Sequence, residues 1–253
     1  PGIARGTAFV HRPEDEDPPT LRITVAEVPT EIARFEAALI QTRHQILEMQ
    51  QRIAESIGAK DASIFDAHLL VVEDRTLIDE VIRLLQSEKV NVEHVFHEVA
   101  ERYAKTLAAI DDPYLRERAV DIHDVCRRVI HNLMGKDGHA LGSVHTPHLL
   151  VAHNLTPSDT AQLDRANVLG FATDVGSRTS HTAITARPLG IPAVVGVEGA
   201  SEEYKFAETV IVDGEQGGGV VGPTGEAARE GPERRKAYAP RTPHRAKAAR
   251  RRA

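Results

Sequence analysis

Residues 170–196 read GFATDVGSRTSHTAITARPLGIPAVVG, and this string leaves few folds open. The run Val168–Thr173 is apolar and suits a buried strand, which Gly176 interrupts. Thr179 or Ser180 can cap a helix starting near His181, because a hydroxyl accepts from the unpaired N–H groups of a first turn. A second short apolar run follows at 193–197. Strand, glycine turn, helix and strand make an α/β unit. Its chemistry is also suggestive. Helix N-termini favour anions, since the free N–H groups and the macrodipole point the same way. A histidine there with Arg178 beside it is placed to carry a phosphoryl group on its ring.

The rest of the chain divides by its periodicity. Residues 6–10 read as a short strand and 11–20 as a polar loop with three prolines. From 27 to 58 apolar residues recur every three or four positions (Ile32, Phe35, Ala38 or Leu39, Thr42, Ile46, Met49, Ile53), as an amphipathic helix requires. Three more helical segments are expected at 61–86, broken near 73–76, at 91–110 and at 113–134. Short connections join them, so an antiparallel four-helix bundle is the expected packing. Beyond a glycine-containing loop the pattern changes. Strands are expected at 148–152 and 209–212, a hairpin at 213–221, and a helix at 156–163 that Thr156 caps and Pro157 opens. The strand at 6–10 is expected to join the α/β unit, which makes the helices an insertion.

The string GSRTSHTAITARPLGIPAVVG resembles the active-site signature of phosphohistidine domains in the phosphoenolpyruvate-utilising enzymes. Strand, helical insertion and then phosphohistidine domain is the layout of the N-terminal half of the Enzyme I family of the sugar phosphotransferase system. NLTPSDTAQL at 154–163 and IDDPYLRERAVDIHDVCRRV at 110–129 resemble the same family. The resemblance covers 1–223. It implies an α/β phosphohistidine (swivelling) domain from 1–20 and 144–228, with an inserted helical subdomain at 21–143 that docks the phosphocarrier protein HPr. A basic tail at 229–253 is expected to be disordered. The alternatives are a non-catalytic HPr-docking module, or the swivelling domain of a dikinase-like enzyme, which the helical insertion disfavours.

The resemblance also implies roles. His181 would accept phosphate, ultimately from phosphoenolpyruvate, and donate it to a histidine of HPr. Thr160 matches the threonine that hydrogen-bonds the imidazole; Arg178, Thr179 and Ser180 would steady the phosphoryl oxygens, with Arg187 a weaker candidate. The HPr contacts would be His68, Leu70, Val71, Leu77, Leu107, Leu115 and Arg118. The competing reading of each apolar member is plain bundle core, and of His68 an ordinary surface histidine. Arg75 and Thr76 stand where better-known members tend to carry acidic residues, so carrier recognition is expected to differ there.

Composition bounds the partners. Nine of the 31 Lys and Arg fall within residues 234–253; the other 22 face 37 acidic residues, a balance of −15. An acidic body argues against nucleic acid as a partner. No apolar run approaches a membrane span, and the single Cys126 excludes an intramolecular disulfide and fits a reducing compartment, the cytoplasm. His94, His97 and Glu98 lack the HExxH spacing of a zinc protease, so no metal is expected in this chain. The resemblance assigns phosphoenolpyruvate, Mg²⁺ and dimerisation to a C-terminal domain that residues 224–253 do not resemble. This chain is therefore expected to be a monomer that cannot use phosphoenolpyruvate alone.

Overall fold

The computed structural model describes residues 2–11, 17–56, 58–135, 144–164, 166–176, 190–197, 199–203, 208–214 and 218–221. Strand β1 (Ile3–His11) opens the chain. Six helices follow: α1 (Val28–Ser56), α2 (Ala59–Ala62), α3 (Ile64–Val72), α4 (Arg75–Glu88), α5 (Val92–Ala108) and α6 (Pro113–Leu133). Then come β2 (His148–Ala152), α7 (Pro157–Ala161), β3 (Val168–Thr173), β4 (Ala193–Val195), α8 (Ala200–Glu203), β5 (Thr209–Asp213) and β6 (Gly218–Val221). The expected signature helix and basic tail lie outside the described residues.

One six-stranded sheet has the order β4-β3-β2-β1-β5-β6. β1 belongs to it, as the sequence predicts, and it divides its partners along its length. Ile3 to Thr7 pair antiparallel with β5, and Ala8 to His11 pair parallel with β2. β2, β3 and β4 are mutually parallel, and β5 returns through β6 as the expected hairpin. Since β1 and β2 are parallel neighbours, the six helices occupy the connection between them.

Four long helical segments are expected; the second is in fact three helices. Gly58, at φ 124°, separates α1 from α2 in a conformation that only glycine adopts without strain. α3 ends at Glu73, and the Asp74 side chain then caps α4 by accepting from Leu77 N at 3.1 Å. A side-chain cap at Asp74 makes the break near 73–76 a built turn.

The helices enclose their own apolar core. Phe35, Thr42 and Ile46 of α1 are fully buried, and Phe35 meets Phe96 of α5 with ring centroids 5.3 Å apart. Arg34 fastens three elements: it bonds Glu31 at 2.5 Å, Glu93 of α5, and the Leu133 carbonyl at the end of α6 at 3.1 Å. Glu31 in turn accepts the first-turn Val92 N–H of α5 at 2.8 Å, satisfying a donor the helix cannot.

All five β2 residues are buried, because the sheet is covered on both faces. One face gathers Leu149, Val151, Ala172, Val210 and Ala200 of α8; the other gathers Leu150, Phe171, Ile191 and the Leu155 and Leu163 that flank α7. α7 also contributes Ala161 to the helical core, so it packs on the sheet and on the insertion at once.

Gly170 shows how closely β3 packs between neighbours. A Cβ there would lie 2.9 Å from Ala4 Cβ, 3.0 Å from Leu149 Cδ2 and 3.0 Å from the Pro192 carbonyl. Two of these obstacles are side chains of β1 and β2 in the buried sheet and one is backbone, so little can yield. Gly170→Val is expected to cost about 1–3 kcal/mol, read as a lowered thermal midpoint by circular dichroism. An unchanged midpoint would contradict this packing.

Candidate functional site

The carboxyl ends of β1, β2 and β3 lie along one edge of the sheet, the edge at which open parallel sheets bind ligands. Asp174 follows β3 there. Its carboxylate accepts from the Ser201 backbone at 2.7 Å, from Ser201 Oγ at 2.5 Å and from His153 Nδ1 at 3.0 Å. Burial alone would raise its pKa; the bonds from Ser201 and His153 outweigh that and hold it below the usual carboxylate range. The Val197 N–H donates to the Thr173 carbonyl at 2.9 Å. Gly196, at φ 76°, lies so near the backbone of Gly176 that a Cβ would come within 3.2 Å of its carbonyl oxygen. These contacts tie the exit of β3 to the exit of its parallel neighbour β4. In the chain between β3 and β4, His181, Arg178, Thr179, Ser180 and Arg187 lie outside the described residues.

Thr160 sits on α7, which follows β2. Its helix begins as expected at Thr156 and ends sooner than expected, at Ala161. Thr156 Oγ1 accepts from Asp159 N at 3.1 Å and Asp159 Oδ2 accepts from Thr156 N at 2.9 Å, a reciprocal box with Pro157 at the first helical position. Thr160 is buried, and its hydroxyl donates within the helix, 2.9 Å from the Pro157 carbonyl. Its proton is thus committed to backbone, while the oxygen keeps acceptor capacity.

Leu70, Val71, Leu77 and Leu107 converge on one groove of about 550 Å³ between α3, α4, α5 and α6. Leu70 is 60 % exposed at its rim and Leu77 is 2 % exposed, part of its base. Tyr103 and Ile122 also line it, with Asp74 and Arg102 as its charged members. Sequence reasoning missed these four; the four-residue step from Tyr103 to Leu107 on α5 was the available signal. Arg75 and Thr76 are exposed on the first turn of α4. Leu115 and Arg118 lie on α6, with side chains outside the described residues.

His68 is not the surface histidine that the competing reading made it. It is 1 % exposed and lines no part of the groove. Its Nε2 lies 3.0 Å from Asp124 Oδ2 of α6, and its Nδ1 lies 3.3 Å from the Ile64 carbonyl and 3.9 Å from Asp121 Oδ1. The same Asp124 oxygen accepts from the Ser158 N–H of α7 at 3.3 Å. Burial opposes charge on both partners, yet their mutual attraction prevails: His68 is raised above the ordinary imidazole value and Asp124 is lowered to about 2. The physical reason for the misplacement is that α3 turns this polar residue inward onto a carboxylate 56 residues away.

Other clusters stay small. His94 pairs with Glu98 at 3.6 Å and with Thr20 at 3.1 Å, while His97 faces Asp17 at 3.7 Å. Among the described residues no three His, Cys, Asp or Glu side chains gather to hold a metal ion, and no helix is long and apolar enough to cross a membrane. Burial pushes the Cys126 thiol up to about 12, which removes it as a nucleophile.

Comparison with known proteins agrees with this fold. Residues 1–118 match the family described as PEP-utilising enzyme, N-terminal, and residues 144–217 match PEP-utilising enzyme, mobile domain. The phosphoenolpyruvate-protein phosphotransferase of Geobacillus stearothermophilus is 41 % identical over 237 residues, which are 94 % of this chain and 41 % of that protein. That of Bacillus subtilis (strain 168) is 37 % identical over the same span, again 41 % of its length. The chain thus spans about two-fifths of the curated relatives it matches. A solution NMR structure of Enzyme I superposes with a TM-score of 0.75 at 39 % identity, covering 94 % of this chain and 96 % of that one. A structure titled N-terminal domain of Enzyme 1 - Nitrogen gives 0.62 at 26 % identity, covering 92 % and 95 %.

Proposed function

Because the chain belongs to the phosphoenolpyruvate-utilising enzymes, as a counterpart of the N-terminal part of Enzyme I, we propose that it is a phosphohistidine relay that exchanges a phosphoryl group with HPr. Residues 1–20 and 144–228 form the phosphohistidine unit and 21–143 the docking unit. His181 Nε2 attacks phosphorus while the phosphorus–nitrogen bond to the carrier imidazole breaks, and the electron pair returns to the carrier's nitrogen. Two imidazoles of similar basicity make the exchange nearly balanced, so positioning and charge stabilisation matter more than acid–base work. Arg178, Thr179 and Ser180 steady the phosphoryl oxygens. Thr160, whose own proton is occupied by backbone, accepts from the imidazole N–H and so sets its tautomer. On this reading phosphoenolpyruvate and Mg²⁺ would be bound outside these residues, in the length of the relatives that the match does not cover.

The observation that carries this reading is where the histidine-bearing segment begins. It leaves Gly176 at the carboxyl edge of the parallel strands, beside β2, whose carboxyl end leads into the α7 helix of Thr160. A groove with apolar floor and mixed rim lies on the same chain and suits a protein partner. Mixing the chain with phosphorylated HPr and following intact mass tests it. One acid-labile phosphoryl group on the chain is the expected result. Binding without transfer would leave only a docking module, and no binding would remove the HPr assignment.

The groove supplies its own prediction. Leu70→Asp is expected to weaken HPr binding about tenfold or more, since it sets a charge on the most exposed apolar member of the groove where a partner's apolar surface would lie, by isothermal titration. The groove is the wrong surface if HPr binds this variant as tightly as the parent.

A further inference from the structure

The groove and the helix of Thr160 are joined by a buried polar bridge that neither role requires by itself. His68 lies on α3, two and three residues before the groove residues Leu70 and Val71. Its Nε2 bonds Asp124 at 3.0 Å, and Asp124 sits on α6 two residues after the groove residue Ile122. From there Asp124 Oδ2 reaches the Ser158 N–H, two residues before Thr160. Asp124 is 4 % exposed and His68 1 %. Both are far too buried for solvent to substitute for either partner.

The bridge supplies one of the two side-chain caps on the first turn of α7. A helix leaves its first N–H groups without partners of its own. Thr156 caps one of them, at Asp159, from within the α7 segment. Asp124 takes another, at Ser158, from the helical insertion. A shift of the insertion against the sheet would therefore lengthen this bond and turn α7, carrying Thr160 with it. Arg127 Nη1, 3.9 Å from Asp159 Oδ2, is a second and weaker tie between the same two elements.

We propose that His68 and Asp124 are positioning residues for the transfer: their buried pair sets α7, and with it Thr160, relative to the docked carrier. The inference rests on the relay proposed above. The groove decides where the carrier's phosphoryl group arrives, Thr160 decides how the receiving imidazole is turned, and the bridge keeps the two in register. Loosening it leaves the docking surface present but misaligns the imidazole, so the loss falls on the rate of transfer and not on carrier affinity. Misplacement of a reacting group by an ångström is enough to cost a large factor in rate.

The test measures single-turnover transfer from phosphorylated HPr to the parent chain and to His68→Gln, His68→Leu and Asp124→Asn, each first shown to be folded by circular dichroism. His68→Gln keeps an N–H donor toward Asp124 and is expected to stay within about threefold of the parent. His68→Leu and Asp124→Asn are expected to lower the rate at saturating HPr by about tenfold or more, with the half-saturating concentration within about twofold. Should His68→Leu not fold, Asp124→Asn set against His68→Gln carries the same comparison. Variants that transfer at the parent's rate, or that change only the half-saturating concentration, overturn the proposal while the parent's own transfer upholds the relay. A parent chain that takes no phosphate overturns both.

Discussion

His181→Ala is expected to abolish phosphoryl acceptance while leaving the chain folded and able to bind HPr. Alanine has no nucleophilic nitrogen, and the transfer has no acid–base step that another group could supply in its place. A nucleophile acts with its supports as a unit, so its removal is expected to lower transfer by on the order of 10⁴-fold or more, below detection in an intact-mass assay. The groove proposed for docking is lined from α3, α4, α5 and α6, elements that do not include residue 181, so HPr affinity is expected to stay within about threefold. Other histidines make this a real test. His153 is 67 % exposed at the carboxyl edge of the sheet, with its Nδ1 held by Asp174. Persistence of an acid-labile phosphoryl group on the alanine variant would move the acceptor to another such ring.

Asp124→Ala is expected to be the most damaging single change to stability among those considered. It leaves an imidazole 1 % exposed without its carboxylate, and it removes the acceptor of the Ser158 N–H. Breaking a buried pair by deleting one partner costs about 3–5 kcal/mol. The cost depends on pH. Asp124 is lowered from 3.8 to about 2, so its contribution is present above its unfolded value and lost as pH falls through the folded one. His68 is raised from 6.5, so its contribution is complete below 6.5 and lost as pH rises through the raised value. The pair therefore stabilises most between the two ordinary values, 3.8 and 6.5. Denaturant unfolding of parent and variant is expected to show a larger gap at about pH 5.5 than at about pH 9. An equal gap at both would mean that the pair carries no net charge interaction.

Much of the fold was legible because its elements are locally consistent. The apolar stripe of α1 runs from Phe35 to Ile53 at helical spacing, and those positions are buried. β2 and β3 begin and end where their apolar runs do. Thr156 and Pro157 announced α7 through their own capping chemistry. The family was legible for a different reason: the string around His181 is long and specific enough to resemble one. Local patterns were weaker where a break depends on a single backbone turn. Neither Ser63, which parts α2 from α3, nor the short α8 carries a marked signal.

The sequence by itself determined where the long helices of the insertion lie and which strands are buried, because each depends on neighbours within a few positions. Only the tertiary structure decided what the polar residues of the insertion do. His68 and Leu70 stand two residues apart on one helix, yet one is sealed against Asp124 and the other is open at the groove rim. Periodicity gives the spacing of residues around a helix, and it cannot tell which element, or which charge, that helix will meet. That meeting is a long-range event between α3, α6 and α7, and the attraction of Asp124, which outweighs the cost of burial, turns a surface-looking histidine into half of a buried ion pair.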